Sequence, residues 1–154
     1  MKYVDASAIL RVVLRQGGVS VDLSGSEPVA SSHVVEVETC RALDRERLMG
    51  HLDDLATARK RKELSDLLLR LDLAPVSQAV IDRAKGSFPV NLRALDAIHV
   101  ATAELLVAEA TEAVEFWTHD ARQAAAALSR GLTVRGIDSL DEPPLERTGP
   151  TTDN

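Results

Sequence analysis

Acidic side chains set at the ends of apolar segments are the residues of this sequence best able to do chemistry. Carboxylates gathered at one point hold hard divalent cations. Asp96 stands out first. In Leu92-Arg93-Ala94-Leu95-Asp96-Ala97-Ile98-His99-Val100-Ala101-Thr102-Ala103 the spacing of Leu95, Ile98, Thr102 and Leu105 predicts a helix with a buried stripe, and Asp96 lies beside it. A carboxylate at the margin of an apolar face is costly unless a cation, a donor or water satisfies it. Asp5 closes a predicted strand, Lys2-Tyr3-Val4-Asp5, and opens a helix. Asp120 falls just past another strand, Val114-Glu115-Phe116-Trp117-Thr118. Both also fit a blander reading as helix N-caps, a position that favours acids. Ser7 is expected to cap the first helix while steadying the Asp5 carboxylate, and Thr118 adds a hydroxyl at the second strand end.

Glu36 and Glu38 compete for one role. Two residues apart on a helix, they point about 200° apart, so one site cannot take both. At about 100° per residue Glu38 shares its stripe with Val34, Arg41 and Arg45, while Glu36 lies with Cys40, Leu43 and Arg47 nearer the apolar side. Glu38 is preferred and Glu36 is held as its alternate. A solvated surface glutamate is the blander reading of either. His99 is read as a packing histidine that still reaches the neighbourhood of Asp96. His119 is read as a surface residue rather than a ligand, and Cys40 as core.

The elements that must position these residues alternate along the chain. Helices are expected over 8–16, ended by Gly17-Gly18, and over 33–47, capped by Ser32. Residues 51–71 are strongly helical, with Arg59-Lys60-Arg61-Lys62 interrupting the leucine stripe, which suggests a hairpin of two helices. Another helix follows Ser77 as far as Lys85, the Asp96 helix runs to about Ala108, and an alanine-rich one spans 121–130 before Gly131. Further strands are expected at 28–31, 71–76 and 132–137. Strands alternating with helices predict an α/β fold with a mostly parallel sheet, in which ligands bind outside the carboxyl ends of the strands. Asp5 and Asp120 both fall at that edge. The segment from Asp141, rich in Pro, Thr and charge, is expected to be a disordered tail (141–154) after a single domain over 1–140.

Composition narrows the class. Of 154 residues, 45% are hydrophobic but only 3% aromatic, so Leu, Val and Ala must build the core. The single cysteine excludes an internal disulfide and a four-cysteine zinc site, and suits a reducing compartment. No leader-like or membrane-length apolar run is seen, so a cytoplasmic protein is expected. The net charge of −6 argues against a protein that coats nucleic acid, although not against an enzyme with its acids gathered and its bases elsewhere.

The Leu92–Ala103 string resembles the signature helix of PIN-domain nucleases, especially the VapC-type toxins of toxin–antitoxin pairs. Tyr3-Val4-Asp5-Ala6-Ser7-Ala8 is similar to that family's first strand with its acid. Ser32 with Val37-Glu38-Thr39-Cys40-Arg41-Ala42-Leu43 is similar to its second acidic motif, and Thr118-His119-Asp120-Ala121-Arg122 to its last. The four motifs keep their order from Met1 to about Ile137. The resemblance implies a PIN-like fold and an acidic set of Asp5, Glu38, Asp96 and Asp120 that both catalyses and holds metal, with Ser7 and Thr118 in support. It also implies an endoribonuclease acting on loops of tRNA or ribosomal RNA, a homodimer and an antitoxin partner. The antitoxin would lay a helix into an apolar groove, for which Leu52–Leu71 is the candidate wall.

Four such acids would repel strongly without a cation. Mg²⁺, with Mn²⁺ as a substitute, takes oxygen ligands and keeps several waters; bound, it polarises a phosphate and activates water, so no protein nucleophile is needed. Phosphates of RNA would meet Arg41, Arg45, Arg59 and Lys60, although the Arg59–Lys62 run also reads as a solvated helix face. Three other readings stand beside this one: a PIN nuclease of RNA maturation without antitoxin, a non-catalytic module whose acids are helix caps, and a haloacid-dehalogenase-type phosphatase. The last wants a second Asp where this chain has Ser7.

Overall fold

A central sheet of five parallel strands organises the protein in the computed structural model, which describes residues 1–137. The strands are β1 (Lys2–Val4), β2 (Val29–Ser32), β3 (Asp72–Ala74), β4 (Glu115–Trp117) and β5 (Thr133–Arg135). Six helices connect them: α1 (Ala6–Val13), α2 (Val34–Leu48), α3 (Asp54–Leu68), α4 (Gln78–Ala84), α5 (Ala94–Glu109) and α6 (Ala121–Ser129). The expected tail over 141–154 lies outside the described residues. Among the described residues no helix is long and apolar enough to cross a membrane.

The sheet order is β3-β2-β1-β4-β5. The chain therefore steps outward from β1 through β2 to β3, then returns to the other side of β1 for β4 and β5. Outside the carboxyl ends of β1 and β4 the connections diverge, leaving the crevice in which open parallel sheets bind ligands. Tyr3 pairs with Phe116 and Val4 with Trp117, which fixes how the ends of these two strands meet.

Side-chain alternation on the short strands builds two cores, as a sheet covered on both faces requires. Tyr3, Ala30, Phe116 and Val134 pack with Val100, Ala103, Ala124 and Ala127 of α5 and α6. Val4 and Val29 pack with Ile9, Val13, Val35, Leu43, Leu64 and Leu67 of α1, α2 and α3. Tyr3 and Phe116 stack with ring centroids 5.3 Å apart, and both are essentially fully buried.

Several local expectations are corrected. Residues 51–71 hold one helix, α3 (Asp54–Leu68), rather than two, started by Asp53, whose side chain accepts from Ala56 N. Its basic run does not break it, because Arg61 reaches Asp44, Lys62 reaches Asp66 and Lys60 pairs with Glu63 while also donating to the Val13 carbonyl. Ser32 does not cap α2: it is the last residue of β2, fully buried, and His33 takes the cap position without a side-chain bond. The buried face of α5 is Ala97, His99, Val100, Ala101, Thr102 and Ala103, whereas Leu95 is 41% exposed. Small residues let α5 lie close to the sheet, and Leu95 instead projects into the crevice described next.

Candidate active site

Asp5 ends β1 at the crevice and is buried. The first turn of α1 begins immediately after it, so its Oδ1 accepts from Ala8 N at 2.8 Å and Asp5 itself is the N-cap. The cap expected of Ser7 thus moves two residues upstream. Ser7 Oγ instead faces the Asp5 carboxylate, 2.7 Å from Oδ1 and 2.9 Å from Oδ2. Thr118 Oγ1 donates to Asp5 Oδ2 at 2.7 Å across 113 positions of sequence. Two amides just past β4 donate back: His119 N to Ser7 Oγ at 2.7 Å and Asp120 N to Thr118 Oγ1 at 3.0 Å. The ends of β1 and β4 are laced together around one carboxylate. Burial pushes the Asp5 carboxyl up despite the opposing influence of His99 and the hydrogen bonds from Thr118, Ala8 and Ser7.

Asp120 starts α6, where its Oδ1 accepts from Arg122 N at 2.8 Å and Gln123 N at 3.1 Å. Capping and lining the crevice are compatible, because a helix that starts at the carboxyl end of a strand turns its capping acid towards that end. Asp96 lies in the first turn of α5 and is partly buried. Desolvation pushes its carboxyl up, and the charges of Asp120, Glu38 and Asp5 push it further, with Arg93 opposing. The four acids therefore act in one shared field. Glu38, on α2, points the same way, with Oε2 2.8 Å from His99 Nε2.

Asp5, Glu38, Asp96 and Asp120 line a single cleft of about 820 Å³. Arg41, Arg45 and Arg93 stand around it, as do the apolar side chains of Leu10, Val37, Leu48, Met49 and Leu95. Ser7, His99 and Gln123 also line it, with Ala6 and Ala42, while Thr118 is buried behind Asp5. Glu36 is exposed and borders a different, smaller cleft beside Cys40 and Leu64. Arg59 and Lys60 are not among the residues around the acids; they belong to α3, whose Leu64 and Leu67 are buried in the core. The apolar surface beside the acids comes from α1, α2 and the start of α5, not from Leu52–Leu71. A further cleft of about 710 Å³ lies between α1, residues 15–24 and α3. There Arg11 and Arg70 donate to the Val19 and Leu23 carbonyls and so fasten the loop.

Two lining residues carry signals in the sequence that composition and spacing alone do not weigh. Gln123 is three residues after the capping Asp120, the arrangement of a capping box, and its Oε1 is 3.1 Å from Thr118 Oγ1. Arg93 is three residues before Asp96, at the N-cap of α5, and its charge opposes the rise in the Asp96 carboxyl.

The donor set is made of carboxylate oxygens, the ligands that Mg²⁺ and Mn²⁺ take. Among the described residues no three His, Cys, Asp or Glu side chains are grouped closely enough to hold a metal ion. Asp5, Glu38, Asp96 and Asp120 match a hard divalent ion by the chemistry of their donor atoms.

Residues 2–128 match the family model described as PIN domain. Over 135 residues the chain is 35% identical to Ribonuclease VapC46 of Mycobacterium tuberculosis (strain ATCC 25618 / H37Rv), covering 86% of this chain and 94% of that protein.

Proposed function

Because the chain belongs to the PIN-domain family and is akin to its VapC-type ribonucleases, we propose that it is a metal-dependent endoribonuclease, the toxin of a toxin–antitoxin pair. Its substrate is an exposed loop of a structured RNA such as tRNA or ribosomal RNA. The observation that carries this reading is the convergence of Asp5, Glu38, Asp96 and Asp120 on one cleft at the crevice between β1 and β4.

Each group has a part. Asp5, Glu38, Asp96 and Asp120 would hold Mg²⁺ or Mn²⁺, which would activate water and offset charge on the scissile phosphate. Ser7 and Thr118 keep the Asp5 carboxylate in one orientation by hydrogen bonds that do not neutralise it. Arg41, Arg45 and Arg93 meet the flanking phosphates at the rim. Loops are favoured because their bases are unstacked and their backbone can enter a cleft that a duplex cannot. The exposed Val37, Leu48 and Met49 offer the apolar surface that an antitoxin helix would cover, and the active form is a homodimer in a reducing cytoplasm.

Incubating the purified chain with structured RNA tests the reading. Cleavage is expected with Mg²⁺ or Mn²⁺ and none with excess chelator. Asp5→Asn and Asp96→Asn, shown to be folded by circular dichroism, should each lose about 100-fold or more. Glu36→Gln should cleave as the parent does. Full metal-dependent cleavage by folded Asp5→Asn or Asp96→Asn would sink the assignment.

A further inference from the structure

His99 is 1% exposed, yet neither of its ring nitrogens is left to packing alone. Nε2 is 2.8 Å from Glu38 Oε2, and Nδ1 is 2.8 Å from the Tyr3 hydroxyl. An ionised carboxylate can only accept, so Nε2 carries the proton that joins the ring to Glu38. The Tyr3 hydroxyl can act either way and donates to Nδ1 in the neutral ring. The tyrosine thereby selects the tautomer that the glutamate needs. Tyr3 is itself fixed, stacked on Phe116 in the middle of the sheet and edge-on to the His99 ring.

We propose that His99 is a positioning residue: held by Tyr3, it pins one oxygen of Glu38 and leaves the other to face the acid cleft. This rests on the functional reading above and adds a residue to it. The line Tyr3–His99–Glu38 joins β1, which Asp5 directly follows, to α5, which carries Asp96, and to α2. Glu38 would otherwise have three freely rotating side-chain bonds near the mouth of a wide cleft. Partners that orient a ligand from outside commonly change metal affinity about 10–100-fold when removed.

Mn²⁺ titration of the full chain by calorimetry, alongside the melting temperature of each metal-free variant, tests the proposal. His99→Leu should weaken Mn²⁺ binding about 10–100-fold. His99→Gln, whose amide can still donate to Glu38, should recover much of the loss. Tyr3→Phe keeps the stacked ring but removes the hydroxyl; it should weaken binding less than His99→Leu, and it decides the matter if His99→Leu does not fold. Long-range ¹H–¹⁵N spectra of the metal-free protein should show His99 protonated at Nε2. Equal Mn²⁺ affinity in the parent and in folded His99→Leu or Tyr3→Phe, or a ring protonated only at Nδ1, overturns the proposal by itself. A parent chain that takes up no Mn²⁺ overturns the functional reading, and this inference with it.

Discussion

Asp5 and Asp120 each do two things that a sequence reading treats as rivals: they cap a helix and they line the cleft. The caps were legible because a short polar residue between a strand and a helix has few other uses. The identity of the cap was not, since Asp5 and Ser7 both qualify and only the first turn of α1, starting at Ala6, decides between them. The helical wheel put Glu38 and Glu36 on different faces and preferred Glu38, and the two line different clefts. His99 read correctly as buried, but its two hydrogen bonds reach residues 61 and 96 positions away, beyond any local pattern. Asp96 carries a consequence for stability. Its carboxyl is raised by burial and by the neighbouring acids, so the folded state binds a proton that the unfolded chain has already lost. Stability of the metal-free protein should therefore fall as pH rises from the ordinary carboxylate range near about 4 through the raised value. Metal-free Asp96→Asn should melt above the parent at pH 7, the gap closing as pH is lowered towards about 4. Saturating Mn²⁺ should raise the parent's melting temperature and leave that of Asp96→Asn nearly unchanged. Calorimetric melts at several pH values check both signs.

Among the elements, β4 and β5 position the site through a contact that tolerates no side chain. Gly136 follows β5 with φ +90°, and a Cβ there would come within 2.7 Å of the Thr118 carbonyl oxygen. Thr118 N in turn donates to the Arg135 carbonyl at 3.1 Å, so this turn sets where the Thr118 hydroxyl meets Asp5. Gly136→Ala should cost about 1–3 kcal/mol, read as a melting temperature several degrees lower, and should slow cleavage as well by shifting Thr118. A fall in stability with no loss of rate would separate the turn from the site. The strands and most helices were legible from alternation and punctuation. The buried face of α5 was not, because Ala, Val and Ile on nearly every side leave periodicity without a unique answer, and packing against the sheet, α4 and α6 chooses it. The single helix α3 was obscured by its basic run, whose charges are answered by acids on α2 and α3 itself.

At the scale of the whole molecule, a chain of net charge −6 must approach a polyanion. On the function proposed above, long-range repulsion would limit non-specific binding, and the cations around the cleft would decide where RNA settles. Replacing Arg41 and Arg45 together by alanine should lower kcat/KM and flatten its dependence on salt. On a log–log plot the slope should fall by about 1.4, the share of two single-strand phosphate contacts; an unchanged slope would place the RNA path elsewhere. Strand order was beyond the sequence, since alternating strands and helices do not say on which side of β1 the fourth strand returns. That return has a consequence for manufacture. A ribosome releases the chain from one end, and the acids emerge in the order Asp5, Glu38, Asp96, Asp120. Until β4 has been made and has docked beside β1, no partner exists for the Asp5 carboxylate at Thr118, and no closed cleft exists at all. A chain stopped anywhere before Glu115 lacks β4, β5 and Asp120. Copies stopped short of β4 therefore lack the complete acid set by topology, and on the function proposed above they would not cleave.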